Sequence, residues 1–144
     1  MRRPSPVLAG AMLALLAWPA LATAQATVDL PVVLPAAVVD DGGNLMYLER
    51  LQPTFPMGAT ISTEKARTAA LFQKPTKILE DAIVGGRTPL LNVWSAPLNG
   101  GEPIVVDGQV VGAVGVSGAS SAARDAAIAI VGAAALGTKT SASR

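Results

Sequence analysis

The chain has 144 residues, 51% hydrophobic and 15% charged, with 11 basic against 10 acidic side chains. That balance excludes a disordered chain, and with aromatics at only 3% it also excludes the usual electrostatic and stacking surfaces for nucleic acid. The sequence holds neither Cys nor His, which removes disulfides, thiolate nucleophiles, Ser–His–Asp triads and imidazole ligation.

Arg2 and Arg3 precede an apolar run from Val7 to Leu21, followed by Ala22-Thr23-Ala24 and Ala24-Gln25-Ala26. A basic start, a short apolar stretch and a small-x-small site predict a signal peptide over residues 1–24, cleaved near Ala24 or Ala26. The expected location is periplasmic or secreted. The run is shorter than the roughly 20 residues of a spanning helix, so no stable membrane span is expected. Removing residues 1–24 takes away Arg2 and Arg3 and turns the formal charge from +1 to −1. About 120 residues remain, enough for one core, here residues 25–136.

Pro31 and Pro35 bar Val28–Val39 from a helix interior, so this segment reads as extended chain leading into a strand over Ala36–Val39. Asp40-Asp41-Gly42-Gly43-Asn44 predicts a turn, and Leu45–Leu48 a second strand paired to the first. Ser62 is a candidate cap for a helix carrying Glu64, Lys65, Ala66, Arg67, Ala69 and Ala70 and ending before Pro75. Thr76 is a candidate cap for a second, shorter helix that Gly85-Gly86 stops. Leu90–Trp94 reads as a strand. Ile104–Val106, an Asp107-Gly108 turn and Val110–Val116 form a second hairpin signature. Ser120 or Ser121 caps a final Ala-rich helix, and residues 137–144 read as a flexible tail. Two hairpins with an additional strand, interrupted and closed by helices, argue for an α+β fold on an antiparallel sheet.

Gly108, Gly112, Gly115 and Gly118 match neither G-x-x-x-x-G-K-[ST] nor G-x-G-x-x-G, so there is no evidence for nucleotide binding. Glycines within a strand point instead to close backbone approach or a bulge. The turn Val116–Ser121 is a candidate anion site, in which Ser117, Gly118 and Ser120 would offer backbone N–H groups to a carboxylate or propionate. Ordinary helix capping is the alternative. Lys65 and Arg67, with Arg50 after the second strand, form either a solvated face or a basic patch for an anionic ligand. Asp40, Asp41 and Asp107 lie in turns, where local hydrogen bonding accounts for them. Tyr47, Met46 and Met57 are the remaining side chains that can ligate haem iron, and packing is the alternative role for each.

Val38–Leu45, Leu48-Glu49-Arg50, Lys65–Ala69, Gly100–Ile104 and Val110–Ala119 with Asp125 beyond resemble the GlcG/HbpS family, over about Val32–Ala135. The resemblance implies a GlcG-like, profilin-like domain: a five-stranded antiparallel sheet flanked by helices, assembled as a homo-oligomer. It also implies a small-molecule ligand of the tetrapyrrole class, haem foremost. A haem-degrading or other small-molecule enzyme, and an assembly protein without ligand, are the alternatives. Two features depart from the family. The long N-terminal helix is missing or replaced by the apolar segment, and Glu102 stands where an apolar residue is common.

Overall fold

Asp40 closes the first hairpin by accepting the Asn44 backbone N–H at 2.7 Å and its side-chain amide at 3.0 Å, the local bonding that fits this residue pair to turns. In the computed structural model, which describes residues 34–51 and 53–137, that turn joins β1 (Ala36–Asp40) to β2 (Leu45–Glu49). Helices α1 (Gly58–Phe72) and α2 (Thr76–Val84) follow, then a short 3-10 helix over Thr88–Asn92. The second hairpin is β3 (Gly101–Val106) and β4 (Gln109–Val116), and α3 (Ala122–Gly137) ends the described chain. The expected signal peptide, the N-terminal helix question and the tail beyond Gly137 lie outside the described residues.

The sheet runs β2-β1-β4-β3, antiparallel throughout. The α+β expectation holds, but the described sheet has four strands and not five. Leu90–Trp94 falls in the 3-10 helix and the loop after it. Pro89 sits in the first turn of that helix, where its fixed φ suits a helical turn and its missing N–H removes no bond. The strand that this segment would have flanked, β3, carries Pro103, and proline in a strand is confined to edges and bulges.

Successive residues of β4 point to opposite faces. Val114 and Val116 pack with Leu34, Ile104, Ala129 and Ala133 on the α3 side. Ala113 joins Ala37, Val39, Ala66, Ala69 and Ala70 on the α1 side. That second seam is made of small side chains, and it brings α1 down to the sheet backbone. A Cβ on Gly115 would lie 2.0 Å from the Ser62 carbonyl oxygen, and one on Gly101 2.4 Å from that of Lys65. The in-strand glycines thus serve close approach. Helix α1 starts at Gly58, four residues before the expected cap. Ser62 is fully buried in the helix, its hydroxyl donating to the Ala59 carbonyl.

Candidate functional site

Lys65 lies on the buried stripe of α1, one turn before Ala69 and three residues after Ser62. Its side chain is 4% exposed, and its ammonium donates to Asp125 Oδ2 and to the Val116 carbonyl, each at 2.9 Å. Lys65 is therefore not part of a solvated face. A charge buried without a partner is strongly unfavourable, and here α3 supplies the counter-charge while β4 supplies a carbonyl at its last residue. Sequence alone sets Asp125 within the family pattern and does not reveal its pairing with Lys65. The signal was the helical spacing that sets Lys65 among Ser62, Ala66 and Ala69.

The strand-to-helix junction is organised by the same carboxylate. Asp125 Oδ1 accepts the Ala119 N–H at 2.9 Å, and the Ser121 hydroxyl caps α3 by accepting the Arg124 N–H at 3.3 Å. The Ser117 N–H donates to the Pro35 carbonyl at 3.2 Å. At this turn the anion held by backbone N–H is Asp125 itself. Ser117 is buried, Gly118 (φ 108°) and Ser120 are exposed, and the side chain of Leu34 and that of Phe55 approach Gly118.

Arg67 belongs to a different face. Its Nε donates to the Gly43 carbonyl at 3.0 Å, one terminal nitrogen pairs with Glu64 at 2.8 Å, and the guanidinium lies 5.5 Å from the Trp94 ring centroid. Trp94 is 75% exposed. The loop that replaces the expected fifth strand thus delivers an aromatic plane to a cation on α1. Arg50 is exposed and donates to the Thr54 carbonyl at 2.9 Å. The structure therefore joins Lys65 to the Ser117–Ser120 turn through Asp125 and sets Arg67 with Trp94.

Glu102 points to the α3 side of β3, opposite Val114, and burial raises its carboxyl above the ordinary carboxylate range. Asp40 is held below that range, first by the side-chain and then by the backbone hydrogen bond from Asn44. Tyr47 is exposed and donates to Glu49 at 2.8 Å, which raises its phenol. Met46 and Met57 are also exposed. Among the described residues no three acidic side chains converge to hold a metal ion, and no helix is long and apolar enough to cross a membrane. A polar concavity of about 590 Å³ lies between Asp41, Gln73, Val105 and Gly108–Val110, at the sheet end away from Lys65.

For haem, this donor set fits in part. The sequence has no imidazole or thiolate to ligate iron, and Met46, Tyr47 and Met57 are all exposed. What is present for a planar, propionate-bearing macrocycle is an exposed indole beside a guanidinium.

Residues 13–134 match the family model described as haem degrading protein HbpS-like. Protein GlcG of Escherichia coli K12 is 51% identical over 82 residues, 56% of this chain and 61% of GlcG, so the match spans less than two thirds of that relative. The crystal structure of a Streptomyces reticuli HbpS double mutant superposes with a TM-score of 0.67 at 33% identity, covering 73% of this chain and 72% of that one. A structure of PduOC in complex with haem gives a TM-score of 0.60 at 27% identity, over 71% and 78% of the two chains. With the family model matched over residues 13–134 and solved relatives of the same fold, the chain belongs to the HbpS-like family.

Proposed function

We propose that this chain is an exported small-molecule-binding protein whose ligand is haem or a related tetrapyrrole, and that it works as a homo-oligomer. The observation that carries the reading is membership of a family described as haem degrading, with a haem-bound relative of the same fold. The Arg67–Trp94 face supports it from within the chain. A ring plane stacks on an exposed indole, and a guanidinium is a suitable partner for a propionate. Lys65 already has Asp125 as counter-ion, so its role in this reading is to hold the β4–α3 turn in shape. Bound haem would supply redox chemistry, while these residues would orient the macrocycle.

Titrating the purified chain with haemin tests the reading. The expected result is a Soret band that saturates at a fixed stoichiometry, and absence of binding at micromolar haem would overturn it. The family description favours one second reading, a haem-degrading enzyme. That reading predicts loss of the Soret band with time under a reductant, where a binding protein keeps a stable complex.

A further inference from the structure

We propose that Glu64 is the specificity-determining residue of the Arg67–Trp94 face: its carboxylate occupies the part of the guanidinium that a ligand carboxylate must take, and so sets how tightly a propionate is held. The role deepens the ligand reading above and rests on it. Glu64 and Arg67 stand three residues apart on α1, the spacing that brings side chains together on one helix face. The Glu64 carboxylate accepts from Nη1 of Arg67 at 2.8 Å, and both side chains reach solvent.

A guanidinium presents two forks to a carboxylate, one from Nε with Nη2 and one from Nη1 with Nη2. The first is half taken by the Gly43 carbonyl, which accepts from Nε at 3.0 Å. The second is half taken by Glu64. Trp94 offers the cation a ring and no oxygen, so it takes neither fork. Gly43 is fixed in place. It is buried in the β1–β2 turn at φ 78°, its N–H donates to the Asp40 carbonyl at 3.1 Å, and Arg67 Cγ fills the space where a Cβ would stand. Glu64 is held more loosely, because among the described residues Arg67 is the one hydrogen-bond partner of its carboxylate. A ligand carboxylate that takes the Nη1–Nη2 fork therefore displaces Glu64. Exchanging one carboxylate for another yields less than pairing with a free guanidinium, and a ligand whose carboxylates are blocked makes no such exchange.

Absorbance titrations of the full chain with haemin and with haemin dimethyl ester test the role, once far-UV circular dichroism has shown that each variant folds. Glu64→Gln and Glu64→Ala are each expected to tighten haemin binding about two- to fivefold and to leave the affinity for the ester unchanged. In an Arg67→Ala background the gain is expected to disappear, because no fork remains to be contested. A gain that persists without Arg67, or that extends to the ester, would assign the effect to lost negative charge and overturn the proposal. No gain at all would overturn it too. Haemin binding that Arg67→Ala and Trp94→Ala leave unaltered would overturn it while the haem reading stands, and a chain that binds no haemin would overturn both.

Discussion

Lys65 and Asp125, sixty positions apart in sequence, meet at 2.9 Å in the interior and join three elements: α1, the end of β4 and α3. The pair ties a helix on one face of the sheet to a helix on the other. Breaking a buried pair leaves an uncompensated charge, a loss on the order of 3–5 kcal/mol. Lys65→Met is expected to lower stability by that amount in denaturant unfolding. Adding Asp125→Leu is expected to recover part of it, although the Ala119 N–H then loses its acceptor.

Gly115→Ala tests the seam under α1. The added carbon would stand 2.0 Å from a carbonyl oxygen and 2.5 Å from the Ala66 nitrogen. Backbone must therefore move, and the expected loss is about 1–3 kcal/mol or more. Gly108→Ala provides the contrast. Nothing lies within 4 Å there, so its cost is confined to the φ of 78°. Thermal unfolding of both variants should place Gly115→Ala well below Gly108→Ala.

Glu102 gives a pH signature of known sign. Its carboxyl is raised by burial, so the folded state binds the proton more tightly than the unfolded one. Its contribution is therefore most favourable below the ordinary carboxylate range and is lost as pH rises through the raised value. Glu102→Gln is expected to raise the melting temperature at pH 7 and to leave it unchanged near pH 3. The group is half-exposed, so the gain stays below about 1 kcal/mol.

Trp94→Ala and Arg67→Ala test the ligand face. If haem stacks there, each should weaken haemin binding roughly two- to fivefold while the fold persists, since an exposed contact of the cation–π kind contributes only ~0.5–1 kcal/mol. Equal affinity in both variants would move the site elsewhere on the domain.

Export is tested by the mass of the protein recovered from the cells that make it. Cleavage after Ala24 or Ala26 predicts a mature chain starting at Gln25 or Thr27. Recovery of a chain that keeps Arg2 and Arg3 would reject the signal peptide.

Local chemistry made much of the fold legible. The Asp-Gly turns placed both hairpins, and Gly85 and Gly86 marked the end of α2, because such signals act within a few residues. Leu90–Trp94 was not legible. Its apolar run suits a strand, while Pro89 and the edge position of β3 favour a turn, and only the second depends on distant chain. The start of α1 was missed for a related reason. Ser62 has the chemistry of a cap, but Gly115 leaves room for it to be buried inside the helix. At the candidate site, Lys65 and Arg67 are two residues apart yet have opposite fates, one interior and one beside Trp94. Residue type said only that both were cationic. Their partners, Asp125 and Trp94, come from remote segments that only the folded chain brings near.

The glycine and alanine seam beneath α1 also limits how any guest molecule can be kept. Helix and sheet meet there through backbone, leaving no vault between them into which a flat macrocycle could slide. For the ligand proposed above that layer is closed, and the contact would lie outside it, as a cover and not as a filling. Its departure would then follow the strength of the surface contact.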